Sequence, residues 1–131
     1  MNEFQLIHHY FAQLTTTQTG VRVGIGDDCA LLDVPAGHEL AVTTDTLVAG
    51  RHFPLDTAPE DIGWKSLAVN LSDLAAMGAE PRWFTLALTL PEADEAWLKK
   101  FSEGLKQLAD LHQLSLVGGD TTRGPLSITL T

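Results

Sequence analysis

The sequence predicts an α+β domain, a mixed and partly antiparallel sheet with its helices gathered on one face. Apolar residues recur at helical spacing in two segments, start and stop signals bracket a third helix, and the stretch from Arg82 to Leu90 alternates as a strand does. The coarse order is helix, two strands, helix, strand, helix, strand, strand, and helices interleaved with strands in that order pack as one layer against a mixed sheet.

Phe4, Leu6, Ile7, Tyr10, Phe11 and Leu14 place an amphipathic helix over Glu3 to Leu14, ended by the polar run from Thr15 to Gly20. Cys29 to Val34 reads as a strand and Leu40-Ala41-Val42 as its hairpin partner, with Pro35-Ala36-Gly37-His38 as the turn and Thr43-Thr44-Asp45 at the end. A loop with Arg51, His52 and Phe53 follows. Thr57-Ala58-Pro59-Glu60 resembles a capping box with Pro in the first turn, so a helix should run to about Met77 and stop at Gly78. Its second half, Leu67 to Met77, has only Asn70, Ser72 and Asp73 as polar residues and reads as buried on most sides. Arg82 to Leu90 is a strand rich in aromatic, Leu and Thr residues, ended by Pro91. Asp94 to His112 is a helix with Trp97, Phe101, Leu105, Leu108 and Leu111 facing inward. Leu114 to Val117 is a short strand leading into Gly118-Gly119-Asp120, and Leu126 to Thr131 begins another.

A chain of 131 residues with 44% hydrophobic content is one domain able to bury a core. Its net charge of −9 argues against nucleic acid and anionic membrane as partners. No apolar run reaches the length of a membrane span. The single cysteine, Cys29, reads as a packed small residue and suits a reducing cytoplasm. The Trp and Phe residues read as core.

The chemistry is carried by acids. Asp27 and Asp28 follow a glycine pair, Asp45 follows two threonines, Asp120 follows Gly118 and Gly119, and Asp73 lies in an apolar helix with Asn70 three residues before it. Each motif alone has a plain structural alternative: a solvated acidic turn for Gly24–Asp28, a capped strand end for Thr43–Asp45, a common turn for Gly118–Asp120. For Asn70 and Asp73 the alternative is a hydrogen-bonded pair that pins the helix, although Asp is seldom buried without a cation or several donors. With 8 Lys plus Arg against 17 Asp plus Glu, internal cations are scarce, and a divalent metal such as Mg²⁺ is the fitting partner. His52 is a loop histidine by default, with binding of an anionic substrate as the sharper alternative. Neither a Walker A motif nor a dinucleotide fingerprint is present.

Four segments in order resemble the N-terminal domain of the thiamine-monophosphate kinase family, within the superfamily of aminoimidazole ribonucleotide synthetase and selenophosphate synthetase. They are Gly24–Ala30, Thr43–Val48 with Gly50-Arg51-His52-Phe53, Ala68–Gly78, and Gly118–Thr122. The resemblance implies ATP-dependent phosphorylation of thiamine monophosphate to thiamine diphosphate, by direct in-line transfer with no nucleophile or base supplied by the protein. It implies that Asp28, Thr43, Thr44, Asp45, Asp73 and Asp120 hold several Mg²⁺ ions, that His52 contacts thiamine monophosphate, and that Gly119 and Asp120 lie beside the ATP phosphates. It further implies a homodimer whose sheets join across a two-fold axis. Residues 1–131 would then be the ATP- and Mg²⁺-binding, dimerising N-terminal domain of a longer enzyme, whose C-terminal domain is absent from this chain and without which the fragment is inactive. Two other functions compete: a sibling ATP-dependent synthetase on the same fold, and a non-catalytic, metal-binding dimerisation domain. The pair His52-Phe53, with no reactive Cys or Lys near the N-terminus, counts against a selenophosphate synthetase.

Overall fold

The computed structural model describes residues 3–14, 20–26 and 28–131. Asp27 and most of the polar run after the first helix, residues 15–19, lie outside the described residues. Helix α1 spans Glu3–Phe11 and tightens into a 3₁₀ turn over Ala12–Leu14. The strands β1 (Val21–Val23) and β2 (Leu31–Leu32) pair antiparallel as a small separate sheet. The main elements are β3 (Asp45–Val48), α2 (Pro59–Ala76), β4 (Trp83–Leu90), α3 (Glu95–Leu111), β5 (Ser115–Arg123) and β6 (Ser127–Leu130).

The main sheet has the order β3-β6-β4-β5. Strand β6 is antiparallel to both of its neighbours, whereas β4 and β5 are parallel and are joined by α3. A parallel pair needs such a crossover, because a tight turn cannot return the chain to the same end of the sheet. Alternation on β4 sends Phe84, Leu86, Leu88 and Leu90 into the core, joined by Ile128 and Leu130 from β6. The helices cover that face through Leu67 on α2 and Leu98, Phe101, Leu105 and Leu108 on α3. Each such side chain contributes about 1.5–3 kcal/mol when fully buried. The opposite face carries Thr46, Thr85, Thr89 and Thr129, and the hydroxyls of Thr46 and Thr129 bond at 2.8 Å. The expected α+β class with helices on one face is therefore the observed architecture.

Two glycines allow the helices to meet. A Cβ at Gly63 on α2 would overlap the Phe101 carbonyl, and one at Gly104 on α3 would overlap the Glu60 carbonyl. The α2–α3 crossing is thus backbone against backbone.

Several boundaries differ from expectation. Residues 33–44 join no strand, so the expected hairpin of Cys29–Val34 with Leu40–Val42 is replaced by β1 with β2, and Cys29 is exposed rather than packed. Val34, Leu40 and Val42 read as strand from their spacing, but they stand 40%, 55% and 67% exposed, with no neighbouring ladder to cover them. Asp45 begins a strand and does not end one. Thr57 makes no capping box: its hydroxyl donates to the Pro54 carbonyl at 2.7 Å, and Ala58 caps α2 without a side-chain bond. The second half of α2 is not buried on most sides, since Ser72, Asp73, Ala75, Ala76 and Met77 are exposed. On α3, Leu111 faces out and Trp97 is half-buried, stacked on Phe101 at 4.8 Å. Strand β5 does not stop at Val117. It runs on through Gly118, Gly119 and Asp120 to Arg123, in parallel register with β4.

Candidate active site

The start of β3 and the C-terminal end of α2 bring the acids together. Asp45 is the first residue of β3 and Asp73 lies in the last turn of α2, a turn that contains no basic residue. The two carboxyl groups lie close enough for Asp73 to add to the rise that burial gives the Asp45 carboxyl. The Thr43 hydroxyl lies 3.5 Å from Asp73 Oδ2 and donates to it. Partial burial pushes the Asp45 carboxyl above its ordinary value and the neighbouring Asp73 carboxyl pushes it further, while the His52 ring would pull it back when charged. A proton shared between two carboxylates is the response of such a pair when no cation is present. The negative end of the α2 dipole points at the same place, which adds to the demand for positive charge. Two carboxylates and a hydroxyl are hard oxygen donors, and Mg²⁺ commonly takes one or two carboxylates and leaves its other positions to water and phosphate. These residues therefore fit the ion, although no group of three or more His, Cys, Asp and Glu converges among the described residues.

The other expected site residues are distributed. The Thr44 hydroxyl donates to that of Thr131 at 3.0 Å. Asp28 is exposed in the bend before β2. Asp120 is on β5, registered opposite Ala87, and accepts from the Thr122 hydroxyl at 3.2 Å. The row Asp45–Leu130–Leu86–Gly119 crosses the sheet from one edge to the other. At three strand spacings, Asp45 and Gly119 lie about 14 Å apart. Gly118, Gly119 and Asp120 instead border a recess with Ile7, His8 and Ile25. Gly119 is required there by space, because a Cβ would overlap the Leu86 carbonyl oxygen.

Asn70 does not join the acids. It is buried at 6% exposure, its amide donates to the Ser66 carbonyl at 3.1 Å, and its Oδ1 has no partner. The helical spacing put Asn70 and Asp73 on one side of α2, yet Asn70 turns into the core and Asp73 turns out.

His52 is held in the loop after β3. Its Nδ1 accepts from the Val48 amide at 2.9 Å, and Phe53 beside it is buried. Lys65 on α2 donates to the His52 carbonyl at 2.5 Å. Lys65 was invisible as a site residue in the sequence. Its one signal is spacing, since Lys65, Val69 and Asp73 fall on a single stripe of α2.

The chain is an α+β domain with an acidic pair at a helix end and a glycine-bordered recess across the sheet. The chain belongs to the family described as AIR synthase related protein, N-terminal domain, which it matches over residues 26–131. It is 59% identical over 128 residues to the thiamine-monophosphate kinase of Escherichia coli K12, covering 98% of this chain and 39% of that protein. The chain thus spans about two fifths of the length of the curated relatives it matches. Among solved structures, the thiamine-monophosphate kinase of Stenotrophomonas maltophilia K279a superposes with a TM-score of 0.86 at 54% identity, over 95% of this chain and 40% of that one. A structure described as AaThiL complexed with AMPPCP and TMP matches with a TM-score of 0.64 at 34% identity, over 67% of this chain and 29% of that one.

No helix among the described residues is long and apolar enough to cross a membrane.

Proposed function

We propose that this chain is the N-terminal domain of a kinase that converts thiamine monophosphate to thiamine diphosphate at the expense of ATP. The observation that carries the reading is the meeting of Asp45, Asp73 and Thr43 at one sheet edge, in a sequence 59% identical to a protein named thiamine-monophosphate kinase. The AMPPCP and TMP complex of a structural relative supports ATP and thiamine monophosphate as the two substrates.

An oxygen of the acceptor phosphate forms a bond to the γ-phosphorus as the bond from that phosphorus to the β,γ-bridging oxygen breaks, releasing ADP. The acceptor oxygen is already anionic near neutral pH, so no side chain needs to remove a proton. Mg²⁺ would supply neutralisation of the charge that accumulates where two phosphorylated molecules meet. Asp45, Asp73, Thr43 and Thr44 would hold metal at one edge of the sheet. Asp28 and Asp120 would hold metal elsewhere, with Gly119 giving backbone access to the ATP phosphates. Several ions are needed because Asp45 and Asp120 stand too far apart for one. His52 would donate to an oxygen of thiamine monophosphate.

The unpaired segment 33–44, with Val34, Leu40 and Val42 exposed, would be covered by a second copy of the chain in a homodimer. The reaction is assigned to the cytoplasm, where ATP is available and an exposed Cys29 stays reduced.

The test is formation of thiamine diphosphate from thiamine monophosphate, ATP and Mg²⁺ by the full-length protein and by Asp45→Asn. Turnover in the wild type that falls on the order of 100-fold in the variant is the expected result. A folded, full-length wild type with no turnover overturns the substrate assignment.

A further inference from the structure

We propose that Lys65 is a positioning residue that sets where the His52 imidazole stands relative to the Asp45–Asp73 pair. The proposal rests on the reading of His52 as a contact to the phosphorylated acceptor.

The loop that carries His52 is closed on itself. The Val48 carbonyl accepts from the amides of Arg51 at 3.1 Å and His52 at 3.0 Å, and the Gly50 amide donates to the Phe53 carbonyl at 2.8 Å. The Val48 amide donates to His52 Nδ1 at 2.9 Å. A backbone N–H can only donate, so Nδ1 carries no proton and the neutral ring holds its proton on Nε2. The imidazole therefore offers one N–H donor in a fixed direction. Internal bonds cannot fix where the loop stands against the helix layer. Phe53, buried in the core, anchors one side of the loop, and Lys65 ties the His52 backbone to α2 through its bond to the His52 carbonyl.

Lys65 and Asp73 lie on one stripe of α2, two turns or about 12 Å apart along the axis. Asp73 stands beside Asp45 at the start of β3, and Lys65 bonds the His52 carbonyl just beyond its end. One rigid helix thus sets the separation between the acidic pair and the imidazole donor.

The experiment compares wild type, Lys65→Met, Lys65→Arg and His52→Gln in the full-length protein. It reads KM for each substrate, kcat, and the ring nitrogen shifts of His52 by NMR. Lys65→Met should raise KM for thiamine monophosphate about five- to tenfold, leave kcat and KM for ATP within about twofold, and move the His52 ring signals. Lys65→Arg should restore most of the loss, because it keeps a cationic donor. Unchanged His52 signals together with an unchanged KM in Lys65→Met would overturn the positioning role. A KM for thiamine monophosphate that His52→Gln leaves at the wild-type value overturns the acceptor contact instead, and the ring signals of Lys65→Met then decide the tie by themselves.

Discussion

Asp73 in the last turn of α2 stands beside Asp45 at the start of β3 and, together with burial, raises its carboxyl above the ordinary value. Two acids so placed favour holding a proton between them where no cation is bound.

This has a sign that can be measured. Burial and Asp73 raise the Asp45 carboxyl in the folded chain above its unfolded value of about 3.9. The folded state then binds more protons than the unfolded state between those two values, so stability falls as pH rises through that window. Without Mg²⁺ the pair is most favourable below the ordinary carboxylate range and least favourable near neutrality. On the proposed function, Mg²⁺ would bind the deprotonated pair, so its addition should raise Tm more at about pH 7.5 than at about pH 5. Asp73→Asn should flatten that difference, as read by thermal melts with and without MgCl₂.

Asp45→Asn should separate stability from activity. Removing one carboxylate relieves the repulsion across the pair, so the metal-free variant should melt at or above the wild-type temperature near neutral pH. Its Mg²⁺-dependent gain in Tm should shrink. A variant that melts well below wild type would show that the pair is a structural bond and not a poised ligand set.

Gly119→Ala is expected to cost about 1–3 kcal/mol, as overpacking does. The added Cβ would overlap the Leu86 carbonyl and force β5 away from β4. Urea denaturation measures the loss. A neutral result would mean that the close approach of the two strands is not required.

Gly104→Ala should also destabilise by about 1–3 kcal/mol, even though Ala is the better helix former by roughly 1 kcal/mol. The Cβ would meet the Glu60 carbonyl where α2 and α3 touch. A stabilised variant would show that propensity outweighs the crossing.

Gln113→Gly should stabilise by up to about 1 kcal/mol. Gln113 follows α3 with φ of 56°, a left-handed conformation that glycine adopts without a Cβ penalty. Equilibrium unfolding would read the gain.

Much of the fold was legible because helices announce themselves by period. Asp94 and His112 bracket α3 as read, with Asp94 Oδ1 accepting from the amides of Ala96 at 3.0 Å and Trp97 at 3.3 Å. Met77 and Gly78 end α2 as the glycine signal indicated. The strands were less legible. Gly118 and Gly119 read as a turn because glycine usually marks one, whereas here the missing Cβ lets β5 continue beside β4. Val34, Leu40 and Val42 read as strand because their spacing does not say whether a neighbour exists. Of the candidate site, Asp45, Asp73 and Thr43 are brought together by β3 and α2, whereas Asp28 and Asp120 lie elsewhere. Burial, the sequence argument for Asp73, was not the reason, since Asp73 is exposed. Lys65 stayed hidden because one lysine on an outer helix face looks like any other.

The position of β6 bears on how the chain comes off the ribosome. Among the described residues, strand β3 has a single partner in the main sheet, and that partner follows it in the chain only after α2, β4, α3 and β5. Until residues 127–130 emerge, β3 has nothing to pair with, and Asp45 lacks the register opposite Leu130 that gives it a place. A nascent chain can build the β4-α3-β5 unit early, yet it completes the acidic end of the sheet only when β6 slides between two strands already made. Chains cut before Ser127 should accordingly leave the amides of Asp45–Val48 open to rapid hydrogen exchange.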